Sequence, residues 1–574
     1  ERSEPHLPPE KSWGGGVGSA CGLLAMGPPR PQQDCHGEAA ETARGGGGAE
    51  AAPDEAAEVA DGGGGPGLGM GLRPPLARSC SGGSSRERAA SEGGAAQGPA
   101  GLGRPPDSGE AQAPAADRRA AGIWRPRRSK CAEETDEDPA WYKHKRHVLV
   151  FAYSGKPVYT RYGSEDGICK TAGALSAIVS KMATFFFASS SSPDSLKYMV
   201  AGERIFVFVE KGPLWLVCIS RCGDVYPDVV KMLDRVHSQI VAILTRGIDR
   251  TLIANPNYDM RSLLGGTDCV VNSMIRWCTQ DFYAHVDGFE PLPLAPASRN
   301  AAVEALRSAK VPNVLCGFLM ASSRILAVVT NRQFKLNAVD LSMVVNMIMS
   351  SASLRSGESW TPVCLQHLSD KAFAYAYISF IEGADVGVVF LSSDNVGEQF
   401  YAISKQAANV KRVLQSSGCL DAVVEAMQQC PIDLRAGPGE DGARGQVPAR
   451  RTALAPAPPG QFKLLGDIIH AAYFVPSLQQ FFSSSIAPPY RSRRRAKMLF
   501  RCYGRCRLLL RNATKLPAQI CIATDHECFY AYLAVDHQLY LAVPRGISTG
   551  VIGQFYQWMK SQEAHIFLGQ IPCW

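Results

Sequence analysis

From His147 onward the chain alternates short apolar runs with amphipathic stretches, and the runs come in a recurring order. His147 to Tyr153 (HVLVFAY) reads as a buried strand, Gly155-Lys156-Pro157 as a turn, and Val158 to Tyr162 as a second strand of alternating apolar and polar positions. Ser164 stands where an N-cap belongs, with Glu165 and Asp166 in the first turn, where the helix dipole favours acids. Ile168, Ala172, Leu175, Val179 and Met182 recur at steps of four and three and predict the apolar stripe of a helix. Three strands follow, Leu196 to Val200, Arg204 to Val209 and Leu214 to Arg221. A helix over about 227–245 comes next, with Val230, Leu233, Val236, Ile240 and Leu244 on one face.

The order β-β-α-β-β-β-α then repeats. Val314 to Met320 and Arg324 to Thr330 form a second hairpin, and Leu341, Val345, Ile348 and Leu354 mark a helix beginning near Asn337. Strands at Trp360 to Leu368, Ala372 to Ile381 and Val386 to Ser393 and a helix from Glu398 to Leu414 complete it. A third copy is less complete. A helical or irregular lead-in (Phe462 to Phe482) and a basic helix over about 493–510 precede strands at Ala518 to Thr524, Cys528 to Val535 and Leu539 to Val543. A last helix over about 548–561 carries Val551, Phe555, Trp558 and Met559. Repetition of one supersecondary unit argues for a repeated module rather than one large fold.

Composition divides the chain. Residues 1–139 hold 27 of the 55 Gly and carry 15 bases against 21 acids, a net −6, which leaves +13 on the other 435 residues. The first segment cannot offset its ordering entropy by burial and is expected to be disordered, and 431–460 reads as a Pro/Gly/Ala-rich low-complexity linker without periodicity. Basic charge on the folded part points to anionic partners. Residue 1 is Glu and the first Met is Met26, which suggests a fragment or an over-extended reading frame. The expected division is a tail at 1–139, domains at 140–265, 310–430 and 461–574, and a helical connector at 266–309. Apolar runs such as Leu214 to Ile219 and Val386 to Leu391 are too short to cross a bilayer. The 18 Cys include no CxxC pair, and reduced thiols in a cytoplasmic setting are expected.

Catalytic constellations are missing from the sequence: there is no GxxxxGK[ST] or HExxH, and Gly62 to Gly67 matches GxGxxG only within low-complexity sequence. No metal site and no cofactor are expected. Opposite the apolar stripe of the first helix lie Lys170, Gly173, Ala174, Ala177 and Lys181, small residues flanked by bases that let another backbone approach; the alternative is an ordinary solvated face. Arg491 to Lys515 carries ten bases and no acid. On a helix, Arg494, Lys497, Arg501 and Arg505 fall along one side and Met498, Cys502, Cys506 and Leu509 along another. Such a helix suits anionic lipid. The alternatives are a solvated helix packed on its own domain and nucleic acid, which is disfavoured because aromatics are not interleaved with the bases.

Three strings, Gly155-Lys-Pro-Val-Tyr-Thr-Arg-Tyr-Gly-Ser164, Asn257-Tyr-Asp-Met-Arg-Ser-Leu-Leu264 and Gly357-Glu-Ser-Trp-Thr-Pro-Val-Cys-Leu365, resemble in order and spacing the vacuolar fusion protein family called Mon one. The resemblance runs from Trp141 to about residue 430 and returns in the last hundred residues. It implies an α/β (α+β) architecture of three longin-type domains, each a five-stranded antiparallel sheet flanked by helices. It also implies a non-enzymatic role as one subunit, with a Ccz one-type longin partner, of a guanine nucleotide exchange factor for a late-endosomal Rab GTPase. Such a factor serves endosome maturation and fusion with the vacuole or lysosome. On this reading Lys156, Tyr159, Arg161, Tyr162, Ser164, Lys170, Ala174, Ala177 and Lys181 form the GTPase or partner interface. Arg491, Arg493, Arg494, Arg495, Lys497, Arg501 and Arg505 face a phosphoinositide or other anionic membrane of the late endosome or vacuole. An upstream early-endosomal Rab is a further expected partner, and nucleic acid is not. The rival function is a longin-based adaptor or tether that holds a GTPase without accelerating exchange. The Arg-rich start of the helix near residue 491 departs from the family pattern.

Overall fold

A computed structural model describes residues 131, 133–187, 195–221, 223–435, 465–547 and 550–574. The expected tail up to residue 130, including Ser79, Ser81, Ser84 and Ser85, and all of the 431–460 linker after residue 435 lie outside the described residues.

The first sheet comprises β1 (Arg146–Ala152), β2 (Pro157–Thr160), β3 (Tyr198–Ala201), β4 (Arg204–Lys211) and β5 (Leu214–Arg221). The second comprises β6 (Val314–Ala321), β7 (Arg324–Thr330), β8 (Glu358–Val363), β9 (Ala374–Phe380) and β10 (Val386–Ser392). The third comprises β11 (His470–Val475), β12 (Gln480–Ser483), β13 (Ala518–Ala523), β14 (Glu527–Leu533) and β15 (Gln538–Pro544). The spatial orders are β2-β1-β5-β4-β3, β7-β6-β10-β9-β8 and β12-β11-β15-β14-β13, one topology three times. Every neighbouring pair is antiparallel. This is the expected α/β (α+β) architecture of three five-stranded sheets with flanking helices.

The third copy corrects one expectation. Residues 470–483, within the expected helical or irregular lead-in, form the missing hairpin, with Gln479 at φ 53° in its turn. All six residues of β11 are buried, because helices Arg493–Leu510 and Gly550–Ile566 cover both faces of the sheet. A strand covered on both sides shows no alternation, and HAAYFV cannot be told from a buried helix by period. Leu354 likewise falls outside its expected helix, which ends at Ser350.

The modules are not independent. Helices Tyr226–Leu244, Asp268–Gln280 and Ala338–Ser350 pack together in one continuous core shared by the first two sheets. Within it the Asn346 amide donates to Gln239 Oε1 at 2.9 Å and to the Val270 carbonyl at 3.0 Å, satisfying groups whose burial would otherwise be costly. Helix Pro296–Ser308 supplies buried Arg299, which donates to the carbonyls of Leu292 (2.8 Å), His565 (2.7 Å) and Phe567. The last two belong to the end of helix Gly550–Ile566, where carbonyls have no partner within the helix. The C-terminal Trp574 closes the arrangement, bonding Thr330 on β7 and, through Nε1, the Leu306 carbonyl.

Candidate functional site

The β1–β2 hairpin turns at Gly155, whose φ of 80° suits a residue without a side chain; a Cβ there would lie 3.3 Å from Ser176 Oγ. The turn therefore rests against helix Cys169–Met182. Residue by residue, the expected interface set divides. Tyr159 is buried (2% exposed) and donates to Asn272 Oδ1 at 3.0 Å, which takes it out of any surface site. Helix Asp268–Gln280, which carries Asn272, covers this side chain. Lys156 is half-buried and reaches Asp259 Oδ2 at 3.4 Å. Asp259 pairs with Arg261, which holds its carboxyl well below the usual range, and Arg261 also reaches Asp166 at 2.5 Å. The Gly155–Ser164 and Asn257–Leu264 motifs are thus one ionic network leading to the platform helix.

Arg161 lies half-buried beside the Tyr162 ring, with its guanidinium carbon 5.4 Å from the centroid. Ser164 Oγ accepts from Gly167 N at 3.1 Å and starts the short turn Asp166–Ile168. The helix that follows has a second cap that sequence reasoning missed. Asp136, placed by composition in the expected tail, accepts from Thr171 N at 2.8 Å, and its own N–H donates to the Gly167 carbonyl at 3.1 Å. Residues 133–138 form a strap over the helix start. Gly163 makes this possible, since a Cβ there would stand 2.4 Å from the Glu134 carbonyl oxygen.

Lys170, Gly173, Ala174, Ala177 and Lys181 share one exposed helix face, opposite buried Ala172, Leu175 and Val179. Nothing lies within 4 Å of where a Gly173 Cβ would point. Lys170 pairs with Glu137 of the strap, both largely exposed. Helical structure continues past Met182 with a wider turn, leaving Phe185 73% exposed and Lys181 Nζ 6.0 Å from its ring. Phe185, four residues after Lys181, joins the face.

The second candidate is helix Arg493–Leu510, capped by Ser492. Its packed face is Leu499, Tyr503, Cys506 and Leu510, set against Phe529, Ala531 and Tyr540 of the third sheet. The expected apolar side therefore needs correction: Met498 (52%) and Leu509 (59%) are exposed, and only Cys502 and Cys506 of that set turn inward. Arg501 is also reassigned, because it pairs with Asp224 at 2.7 Å, next to the Arg146–Asp224 pair. Arg507 pairs with Asp228 in the first turn of Tyr226–Leu244. Gly504 lets the helices meet, since a Cβ there would stand 2.4 Å from Asp228 Oδ2. Lys497 is half-buried; burial and the nearby Arg146, Arg493, Arg161 and Lys145 push its ammonium down to about 8. Arg491, Arg493, Arg494, Arg495 and Arg505 are exposed. Of these, Arg493, Arg494 and Arg505 have no carboxylate partner among the described residues.

Residues 146–274 match a family model described as the first longin domain of FUZ, MON1 and HPS1, and residues 312–407 match the corresponding second longin domain. The matched ranges contain the first and second sheets. A vacuolar fusion protein MON1 homolog of Oryza sativa subsp. japonica is 28% identical over 464 residues, covering 77% of this chain and 78% of that protein. The chain is similar to MON1 vacuolar fusion proteins over about three quarters of its length. MON1 homolog A of Macaca fascicularis is 27% identical over 442 residues (76% of this chain and 73% of that protein), and Protein SAND of Takifugu rubripes is 31% identical over 305 residues (53% and 57%). The coverage is broad enough to include more than the two longin models. Among the described residues, no helix is long and apolar enough to cross a membrane.

Proposed function

We propose that this MON1-like trafficking protein is one subunit of a guanine nucleotide exchange factor. With a Ccz one-type longin partner it activates a late-endosomal Rab GTPase and promotes fusion with the vacuole or lysosome. The observation that carries the reading is the exposed, small-residue face of Cys169–Met182, joined through Gly155 and the Asp259–Arg261–Asp166 network to two of the three motifs that resemble the family. A face of Gly173, Ala174 and Ala177 admits close backbone approach, and Lys170 and Lys181 flank it with positive charge. The exposed Lys170–Glu137 pair is screened by solvent, so an acidic group on an arriving protein displaces Glu137 at little cost.

Exchange requires no covalent step. A surface that binds the nucleotide-free GTPase more tightly than the loaded one lowers the barrier to release by that difference. The relatives are vacuolar fusion proteins by name, which supports the membrane setting. Arg494, Arg505 and the exposed Met498 on the third module's basic helix suit a peripheral contact with anionic lipid.

The test follows release of a fluorescent GDP analogue from a late-endosomal Rab, with this chain alone and with its Ccz one counterpart, on vesicles with and without anionic lipid. Acceleration with the partner is expected, and Lys170→Glu with Ala174→Arg abolishes it while leaving circular dichroism unchanged. No acceleration from an intact complex that still binds the GTPase would favour the adaptor instead.

A further inference from the structure

Where the strap enters the first module, three metal-ligating side chains of different chemistry converge: Cys131 Sγ, a Glu134 carboxylate oxygen and a ring nitrogen of His144 all lie within 4.8 Å of one another. We propose that they form a zinc site that fastens the strap to the first longin module.

Each donor is held from a different direction. Glu134 N donates to the Cys131 carbonyl at 3.0 Å, and Gly163 N donates to the same oxygen at 3.1 Å, anchoring the strap to the end of the Gly155–Ser164 motif. The His144 ring stacks on Tyr162, with centroids 3.7 Å apart and planes 7° apart, and its Nε2 lies 2.6 Å from Glu134 Oε2. His144 and Glu134 side chains are 23% and 19% exposed, shielded but reachable by an ion. Bonds of about 2.0–2.3 Å at tetrahedral angles put ligand atoms roughly 3.3–3.7 Å apart, inside the 4.8 Å limit that encloses the three donors.

The donor set selects the ion. Thiolate with imidazole and one carboxylate suits zinc, whereas magnesium and calcium prefer all-oxygen shells. Three protein ligands leave a fourth position for water. Binding expels the Cys131 thiol proton and replaces the His144–Glu134 hydrogen bond with two bonds to the metal. The consequence is mechanical: the ion ties residues 131–134 to the start of β1, and the same strap carries Asp136, which caps Cys169–Met182, and Glu137, which pairs with Lys170. Sequence spacing does not show the site, because C-x2-E-x9-H contains no pair at usual zinc spacing.

The test uses the full chain, incubated with zinc sulfate, freed of loose metal by gel filtration and analysed by atomic emission. The wild type is expected to keep about one zinc per chain, and Cys131→Ser or His144→Gln to weaken binding on the order of 100-fold, while Cys169→Ser, a nearby exposed thiol, keeps it. Cobalt substitution should give a thiolate charge-transfer band that Cys131→Ser removes. Zinc should also slow hydrogen exchange of residues 133–138 in the wild type and not in Cys131→Ser; both readouts require the variants to keep wild-type exchange in β1 and β5, which establishes that they fold. A wild type that retains no zinc, or a Cys131→Ser/His144→Gln double variant that retains as much, would overturn the proposal and leave a simple His–Glu pair.

Discussion

Replacing Gly504 by Ala tests whether the basic helix is seated on the first module as described. In an exposed helix the change would stabilise by about 1 kcal/mol, because Ala has the higher helix propensity. Here the new methyl would stand 2.4 Å from Asp228 Oδ2, and the carboxylate cannot simply swing aside, since its other oxygen accepts from Arg507 one turn along the same helix. Either the helices separate or the Arg507 pair breaks. Overpacking costs about 1–3 kcal/mol, and a hydrogen bond to a charged group contributes about 1.5–3 kcal/mol. Either loss equals or exceeds the gain in propensity, so a net loss of up to about 2 kcal/mol is expected in the docking of Arg493–Leu510. In an Asp228→Ala background the obstacle and the pair are both absent, and the next atom, Val225 Cγ2 at 3.4 Å, is an ordinary neighbour. There Gly504→Ala should be neutral or stabilise by up to about 1 kcal/mol. Because three modules need not unfold together, the assay is native-state hydrogen exchange of Leu499 to Leu510 amides rather than a single melting temperature. Equal effects of Gly504→Ala in the two backgrounds, or higher protection in the first, would refute the contact.

Arg299→Met removes the side-chain donor to the Phe567 carbonyl and one of two donors to the His565 carbonyl, which keeps Leu294 N–H, and should cost about 2 kcal/mol, read as faster exchange in Gly550–Ile566 and not in Cys169–Met182. His147, His285 and His470 are held down to about 3, chiefly by burial, against 6.5 when unfolded. The unfolded chain therefore binds more protons below pH 6.5: the stabilisation is complete above that pH and shrinks as pH falls toward 3, by about 2 kcal/mol per group at pH 5. Urea midpoints at pH 7 and pH 5 should show the slope, and His470→Gln should flatten it; an unchanged slope would contradict the assignment. Arg494→Glu with Arg505→Glu should weaken binding to anionic vesicles by about tenfold or more at low salt, measured by co-sedimentation, with no change on neutral vesicles. Equal sedimentation of variant and parent would remove the lipid role.

Most of the fold was legible because most of its elements are half-covered. The stripe Ile168, Ala172, Leu175 and Val179 announces its helix, and the strand order of the first two modules follows from alternating runs and Gly turns. What failed has a common cause. β11 is covered on both faces and Tyr159 is covered by Asp268–Gln280, so polarity at these positions reports the packing of distant helices rather than local period. The shared core of the first two sheets was invisible for the same reason: Ala338–Ser350 is buried almost all round, and its partners lie about a hundred residues upstream. In the candidate site the helix face could be read from spacing, whereas the strap could not, because Asp136 and Glu137 stand in a run of acids whose composition resembles the tail before it.

The basic helix shows how one charge pattern serves two purposes that sequence cannot separate. Ten bases within 25 residues suggest a single electropositive surface. In the fold, Arg501 and Arg507 are neutralised by Asp224 and Asp228, 277 and 279 residues away in sequence, and Gly504 between them brings the helix close enough for both pairs. Those bases hold the third module on the first. Arg494 and Arg505 remain exposed with Met498 and Leu509, so charge and apolar surface face outward together. Reversing Arg507 should therefore loosen a domain contact at any lipid composition, and reversing Arg494 should alter only the response to anionic lipid. Neighbouring residues of one type on one helix thus carry separable effects, because carboxylates from a different module decide which bases are already occupied.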